Sequence, residues 1–533
     1  MQKIMRFLYQ KWVAYAIGVM AFFNPFLFYL STDFHTSFAT AVWGIDVIVR
    51  VLGIVCAIGI LGLLFVRNLR IWAQFTEHKA TVITYLVMAV VTCLIMLANV
   101  IILILLSSSI PMARYYFAIE APYLLGFGVF VSMAFVMPRI LHKKTMVVIV
   151  VAVYALCGIM MVAADIWDME TFSFCSRPVV FDTGKDYSIV WSTTDVSTGY
   201  VTYTYQGVAY EVADANYGRL ASARTIHHAN VPYEHLDGNT YTVHATRMLD
   251  NAPYLAHRGK TLTTSVNFRG RPQGDVYMPV ITDNHCLSRT KFDKVRYDEA
   301  YNAVLMLGDF SDFVHQELDI SDFLLYPAWH LSRGEVPVLY AKGNHDTHSE
   351  MGADLAYLLG FDCLYYRTTY GEYTFTVLDS GSCNVDLEEE KYAGVGRYIP
   401  YRETELEWLE HLAPAAGYEI AVVHVWDFAS VAEGIHNDQA VQQVARYGAA
   451  LTALGTDFQL SGHKHDWHYF AEGIAEDGVP VPMLRCGGIS AGLIGHSLTY
   501  TVLRIHDGVI DMTAYNTREK DAVHAETYTM SRP

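Results

Sequence analysis

The sequence predicts a multidomain membrane protein with an N-terminal bundle of five transmembrane helices, a β-sandwich, and a C-terminal α/β domain of layered helices and sheets. Three observations predict this. The 533 residues are 53% hydrophobic with a mean hydropathy of +0.22, high for a water-soluble chain. That apolar excess is concentrated before residue 170. Beyond residue 274, apolar strand-like runs alternate with helical segments, and several of the runs end in a glycine followed by Asp, Asn or His.

The predicted helical bundle occupies residues 1–170. Apolar stretches lie near residues 12–31, 41–66, 81–107, 115–136 and 146–164. Each reaches or approaches the roughly 20 residues that a helix needs to cross about 30 Å of hydrocarbon. A cleaved signal peptide is the alternative for the first stretch, but it lacks a small-x-small cleavage site and four more stretches follow. Lys3, Arg6 and Lys11 precede the first stretch, Arg67, Arg70 and Lys79 follow the second, and Arg139, Lys143 and Lys144 follow the fourth. The alternate connections hold only Arg114. The positive-inside rule then places the N-terminus in the cytoplasm, and everything after about residue 168 outside it, in an integral protein of the plasma membrane. Asp46 and Arg50 lie one helical turn apart and pair with each other in this reading, with Glu120 near an interface.

Charge divides the chain in the same place. Residues 1–169 carry eleven Lys or Arg against six Asp or Glu, a net of +5, and the remaining 364 carry 26 against 48, a net of −22. A surface that acidic argues against binding a nucleic-acid polymer. Cys175, Cys286, Cys363, Cys383 and Cys486 lie in the acidic part. Five is an odd number and the spacing matches no zinc or CxxC pattern, so buried thiols are the expectation.

Residues 177–270 read as short alternating segments: Tyr187 to Ser192, Gly199 to Tyr205, Gly207 to Val212, Thr225 to Val231, Tyr241 to Met248 and Thr261 to Asn267. Turn signals such as Asp237-Gly238-Asn239 separate them. This pattern predicts an antiparallel β-sandwich. The stretches from Trp191, from Gly199 and from His228 to Tyr241 resemble the fibronectin-like (fibronectin type III-like) domain that precedes the catalytic domain of purple acid phosphatases.

Residues 275–515 form the predicted α/β domain, with residues 516–533 as a tail. Strands are expected over Val276 to Thr282, Ala303 to Leu307, Val336 to Ala341, Tyr373 to Leu378, Glu419 to His424 and Phe458 to Ser461. Helices are expected over Lys291 to Tyr301, Arg402 to Leu412 and Asp438 to Ala453, and a closing hairpin over Ser497 to Ile505 and Val509 to Tyr515 across Asp507-Gly508. Five runs end these strands: Asp283-x-His285, Gly308-Asp309-x-x-Asp312, Gly343-Asn344-His345-Asp346, His424, and Gly462-His463-x-His465. They combine carboxylates able to bridge cations, imidazoles suited to borderline metals, and an amide oxygen that ligates without adding charge. An extended backbone at Asp283-x-His285 and His463-x-His465 would point both members of each pair to one side.

In order and identity these five runs resemble the calcineurin-like metallophosphoesterase superfamily over residues 275–515, whose catalytic domain is a four-layer α/β fold. The resemblance implies a dinuclear metal centre with Asp283, His285, Asp309 and His465 on the first ion. Asp309 would bridge to the second ion, which Asn344, His424 and His463 complete. It also implies catalytic roles for His345, beside the substrate phosphate, and for Asp346, orienting it. The ions would be divalent or mixed-valence Mn, Zn or Fe. Purple acid phosphatases place a tyrosine ligand where this chain has Asp312, so a coloured ferric centre is not expected. His315 and His348 flank ligand runs, while His468, Arg485, Trp426 and Tyr366 are weaker candidates for the pocket wall.

The function expected from these readings is a membrane-anchored, extracytoplasmic, metal-dependent phosphohydrolase, a phosphomonoesterase or phosphodiesterase. Its substrate would be a phosphate ester, with nucleotides and lipid-linked esters among the classes open to it. The alternative is a receptor, scaffold or lipid-handling membrane protein whose phosphoesterase domain is a binding or accessory module.

Overall fold

The computed structural model describes residues 172–530, apart from 252–255, 389, 391–392, 428–436, 475–478 and 493–494. The chain divides into two compact units, one of Met1–Phe172 with Met248–Lys260 and one of Ser173–Arg247 with Thr261–Pro533. The second unit holds most of the two regions that follow the apolar N-terminal part.

Its first eight strands are β1 (Phe174–Asp182), β2 (Tyr187–Tyr205), β3 (Val208–Ala213), the short pair β4 (Ala215–Asn216) and β5 (Arg219–Leu220), β6 (Arg224–Val231), β7 (Thr240–Asn251) and β8 (Ala256–Asn267). β2 is a single strand where the sequence predicts two. Its first half pairs with β1 and β6, and its second half with β3 and β7, with a register shift between Ser192 and Ser197. The bulge lets one strand serve two layers. Val180, Tyr187, Ile189, Trp191, Val201 and Val243 form the core of this unit. Gly199 is required there, because a Cβ would lie 2.5 Å from Trp191 Cζ2 and 2.8 Å from the His244 carbonyl.

The next thirteen strands are β9 (Val276–Ile281), β10 (Val304–Leu307), β11 (Pro337–Ala341), β12 (Tyr366–Tyr370), β13 (Tyr373–Leu378), β14 (Tyr418–Val423), β15 (Phe458–Ser461), β16 (Trp467–Phe470), β17 (Met483–Cys486), β18 (Gly488–Gly492), β19 (Gly495–His506), β20 (Val509–Asn516) and β21 (Ala522–Thr529). They build two sheets. One runs β21-β20-β19-β9-β10-β11-β1-β2-β7-β8, and the other runs β12-β13-β14-β15-β17-β16. β9, β10, β11 and β1 are mutually parallel, as are β13, β14, β15 and β17. Met278, Val280, Leu305, Leu339, Phe375 and Leu460 from the two sheets meet in one core. Helix α1 (Tyr326–Ser332) packs on β1 and β10, while α2 (Tyr398–Glu410) and α3 (Asp438–Leu454) cover the second sheet through Leu406, Leu409, Leu451 and Leu454. Helix, sheet, sheet and helix make four layers.

Several expectations change. Among the described residues no helix is long and apolar enough to cross a membrane, and the described chain is mainly β-sheet, so a fold class of five-span helical bundle is overturned. The longest described helix, α3, has 17 residues and carries Gln439, Gln442, Gln443 and Arg446. The five apolar stretches themselves fall outside the described residues. The fibronectin-type likeness of residues 177–270 gains no support. β1, which the sequence pattern did not reveal, pairs in parallel with β11 through Val180 with Pro337 and Phe181 with Val338, joining that region to the sheet of the α/β domain. The helix expected over Lys291 to Tyr301 shortens to Arg289–Phe292. Asp298 Oδ1 instead accepts the Ala300 amide at 2.9 Å, a local turn that competes with the helix. β21, inside the expected tail, is the edge strand of the larger sheet. The hairpin across Asp507-Gly508 forms as expected, with both residues at positive φ. All five cysteines of the acidic part are free thiols, but only Cys486 is buried: Cys175, Cys286 and Cys363 are half-buried and Cys383 is exposed, against the expectation of buried thiols.

One buried polar network joins α2 to the strand ends. The Asp379 carboxylate accepts the Tyr401 hydroxyl at 2.6 Å and lies 2.8 Å from Lys342 Nζ. Glu405 accepts the Asp379 amide and the Tyr447 hydroxyl. Arg402, fully buried, donates to the carbonyls of Ser380, Ser382 and Asn384. Burial, with Asp379 beside it, pushes Glu405 up to about 8. The folded state therefore keeps a proton that the unfolded chain releases in the ordinary carboxylate range, and stability falls as pH rises from that range to about 8. Glu405→Gln cannot ionise. Urea unfolding should show it losing less stability than the wild type between about pH 5 and 8, a difference on the order of a few kcal/mol. Parallel pH profiles for the two proteins would refute the assignment.

Candidate metal centre

Parallel strands end on one edge of a sheet, so side chains distant in sequence gather just beyond their carboxyl ends. Here two facing sheets each deliver such an edge. Asp283 follows β9, Asp309 follows β10 and Asn344 follows β11; from the second sheet come His424 after β14 and His463 after β15.

The backbone at these positions is not extended. Asp283, His285, Asp309, His463 and His465 have φ of 51°, 38°, 54°, 75° and 56°, a left-handed region that costs non-glycine residues about 1–3 kcal/mol each. Both x-spaced pairs are thus delivered by tight turns and not by strand alternation. Glycines make room for the turns. A Cβ on Gly343 would lie 2.2 Å from Asp309 Oδ1, and one on Gly462 would lie 2.1 Å from Thr282 Oγ1.

Three clusters result, each with its ligand-type atoms within 4.8 Å of one another: Asp283, His285 and His465; His285, Asp309 and His345; and Asp309, His424 and His463. In the first, His285 Nε2 lies 3.0 Å from His465 Nε2, which is 3.3 Å from Asp283 Oδ1. In the third, His424 Nε2 lies 3.0 Å from Asp309 Oδ2 and 3.7 Å from Asp283 Oδ1. Asn344 joins this side, its Oδ1 2.9 Å from His463 Nδ1.

Hydrogen bonds to the far side of each ring leave the facing nitrogen available. His424 Nδ1 lies 2.7 Å from the Leu307 carbonyl, so that nitrogen carries a proton and Nε2 is the one turned to the carboxylates. His285 Nδ1 lies 2.7 Å from Asp312 Oδ1 in the same way. Asp283 Oδ2 receives the His463 amide at 3.0 Å and sits 2.6 Å from the Thr282 hydroxyl. Its other oxygen, Oδ1, and His424 Nε2 are buried, and their near neighbours are other ligand-type atoms: His465 Nε2 at 3.3 Å and Asp309 Oδ2 at 3.0 Å.

The electrostatics point the same way. Burial pushes Asp283 up to about 7, and Asp309 beside it adds to the shift. Burial also acts to raise Asp309, but His424, His345 and His285 hold it well below the usual carboxylate range. Burial alone would lower His424, yet Asp309 and Asp283 raise it to about 10. His463 is pushed down to about 4 by burial and by His424. The pocket calls for positive charge between the two carboxylates. Buried ligand-type atoms turned to one another and a carboxylate, imidazole and amide donor set together fit divalent cations of the Mn, Zn or Fe type.

The sequence-predicted residues otherwise fall as follows. His345 joins the second cluster, and its ring is set by the Asp312 carbonyl, 3.1 Å from Nδ1. Asp346 is fully buried and holds backbone. Its carboxylate accepts the amides of Asp309, Phe310 and Gly343 at 3.1, 3.0 and 2.9 Å and the Tyr340 hydroxyl at 2.9 Å. His348 packs on His345 with ring centroids 4.9 Å apart. His315 pairs with Glu350, His468 packs at a tilt against Phe470, Arg485 pairs with Asp466, Trp426 lies in the core under α3, and Tyr366 bonds the backbone of Tyr340. Sequence reasoning missed Thr282, Asp427 and the role of Gly488. Asp427 Oδ1 is 3.9 Å from His463 Nε2, and a Cβ on Gly488 would meet Asp283 Cβ and His465 Cα at 2.8 Å. The doubled glycine at 487–488 was the one readable signal of that close approach.

No curated protein matches the chain in a sequence search. Among solved structures it is similar to GAP50, the anchor in the inner membrane complex of Plasmodium, with 13% identity, 49% of this chain and 90% of that one covered, and a TM-score of 0.34. It is also similar to Chaetomium thermophilum Vps29, with 11% identity, 48% and 100% covered, and a TM-score of 0.24. A third is a cold-active protein-tyrosine phosphatase of a psychrophile Shewanella, with 11% identity, 66% and 99% covered, and a TM-score of 0.23. Likeness at this level carries no functional information. The family model described as calcineurin-like phosphoesterase matches residues 280–467, the span that contains all five ligand runs, and this supports placing that part of the chain in the calcineurin-like phosphoesterase superfamily.

Proposed function

We propose that the protein is a metal-dependent phosphohydrolase that cleaves phosphate esters at the strand ends of residues 283–465, on the extracytoplasmic side of a membrane. The observation that carries the hydrolase reading is the pair of clusters on either side of Asp309, with Asp283 Oδ1 and His424 Nε2 buried between them and turned to the other ligand-type atoms. Asp283, His285, Asp309 and His465 would hold one ion, and Asp309, Asn344, His424 and His463 the other. Two cations there supply an acidified water as nucleophile and screen the charge of the phosphate.

The chain's own groups account for the rest. The Leu307 carbonyl and the Asp312 carboxylate keep His424 and His285 in the tautomers that face the centre. His345, with Nδ1–H bound to the Asp312 carbonyl, turns Nε2 to the centre, where as the doubly protonated imidazolium it would donate to a leaving oxygen. Asp346 holds the Asp309 and Gly343 turns at a fixed separation and so positions both. The net charge of −22 beyond residue 169 favours small phosphate esters, nucleotides and lipid-linked esters included, over a nucleic-acid polymer. The hydropathy and Lys/Arg distribution of residues 1–169 support the membrane location and its sidedness.

Asp309→Ala and Asn344→Ala should each lower metal-dependent hydrolysis of p-nitrophenyl phosphate or its bis ester by more than the ~10–100-fold typical of losing an outer partner of a ligand, with the melting profile retained. Activity at the wild-type level in either variant would sink the reading. Comparing mono-, di- and pyrophosphate esters after reconstitution with Mn, Zn or Fe identifies the preferred ester and ion. Protease added to intact cells should cleave the part beyond residue 168; its full protection would refute the outside placement.

A further inference from the structure

Asp312 offers three polar groups, and each is engaged within the candidate centre. Its carboxylate lies 2.7 Å from His285 Nδ1, its carbonyl lies 3.1 Å from His345 Nδ1, and its amide donates to Cys286 Sγ at 3.4 Å. The rings of His285 and His345 meet edge to face, with centroids 4.8 Å apart. His285 belongs to the cluster with Asp283 and His465, while His345 faces Asp309. One residue therefore fixes a candidate ligand with its side chain and the candidate proton donor with its backbone.

We propose that Asp312 is a positioning residue with two separable duties: its carboxylate sets the tautomer and aim of His285 toward the first ion, and its carbonyl alone sets His345. This rests on the phosphohydrolase reading above. The chemistry behind the division is simple. An imidazole that donates Nδ1–H to a carboxylate keeps a lone pair on Nε2 and gains basicity, which strengthens metal binding. A carbonyl also fixes the tautomer, but it adds no formal charge, and no side-chain substitution removes it. The Cys286 turn, with φ of 38° at His285 and 58° at Cys286, brings the thiol under the Asp312 amide and holds the residue where both rings can reach it.

The two duties make a prediction that a merely structural role does not. In Asp312→Ala, retention of the more weakly held ion, measured by metal analysis and calorimetry with Mn or Zn, should fall by ~10–100-fold. Asp312→Asn, whose amide oxygen still accepts from Nδ1, should recover part of that loss. With metal at saturation, the dependence of rate on leaving-group pKa across a series of aryl phosphate esters should be unchanged in both variants, because the carbonyl that holds His345 is intact. His345→Ala should alter that dependence while leaving ion retention near the wild-type value. A leaving-group dependence altered in Asp312→Ala as in His345→Ala would overturn the division, since the carboxylate would then serve the proton donor. Unchanged ion retention in Asp312→Ala, with two ions bound by the wild type, would overturn the His285 assignment alone. A wild type that retains no metal would overturn the phosphohydrolase reading and this inference with it.

Discussion

The centre depends on one buried carboxylate that binds no ligand in the proposed arrangement. Asp346 is fully buried and accepts three backbone amides and one hydroxyl. Those amides belong to Asp309 and Phe310 after β10 and to Gly343 after β11, so a single side chain ties together the turns that present Asp309 and Asn344. Hydrogen bonds to an ionised acceptor contribute about 1.5–3 kcal/mol each. That is the scale needed to offset left-handed backbone at Asp309 and at the four neighbouring ligand positions. Burial, with Asp309 nearby, pushes Asp346 up to about 6. The Gly343 amide, His424 and the Tyr340 hydroxyl act against that rise and favour the charged form.

A single sheet edge does not surround a pair of cations. The second sheet supplies His424 and His463 from the opposite side, and Gly462 lets the two edges approach, with Thr282 Oγ1 only 2.1 Å from where its Cβ would stand. Contacts away from the centre hold the same β frame together. Asp182 at the end of β1 is fully buried and accepts the Thr368 hydroxyl of β12 at 2.9 Å and the Tyr233 hydroxyl at 2.5 Å. The region before residue 270 is thereby a continuation of the larger sheet through β1, with polar contacts reaching the second sheet. Its two-layered folding about β2 explains why its segments read as a separate sandwich.

The strands that carry ligands were legible because they are short, apolar and end in glycine-flanked polar runs. The expected bounds of β9, β10, β11, β14 and β15 differ from the observed ones by no more than one residue at either end. β1 escaped notice because Arg177 and Pro178 interrupt its alternation, and β21 because nearly every residue on it faces solvent. The helix expected from Lys291 lacked the buried stripe a helix needs, since Phe292, Val295 and Tyr301 are its buried apolar residues. At the centre, sequence identified which side chains assemble but not how each is oriented. Asp346 and Asp312 illustrate the gap. Both are carboxylates near a histidine, and only the fold shows that one holds backbone while the other meets His285.

The two acidic ligand candidates differ in a way that bears on their roles. Asp283 and Asp309 are equally buried, yet Asp283 is pushed up to about 7 while Asp309 is held below the usual range. The cause is position. Asp309 is faced by His424, His345 and His285 and belongs to two of the three clusters, whereas Asp283 belongs to one; each carboxylate has one oxygen engaged by a backbone amide, that of His345 for Asp309 and that of His463 for Asp283. A bridging carboxylate must remain ionised and present both of its sides to cations, and a terminal ligand needs one free oxygen. Asp309, held ionised and shared between two clusters, would suit the first role, and Asp283, with Oδ1 turned to the centre, would suit the second. Environments that drive two neighbouring carboxylates apart in this way separate their functions, and here the separation follows from which histidines each strand end can see.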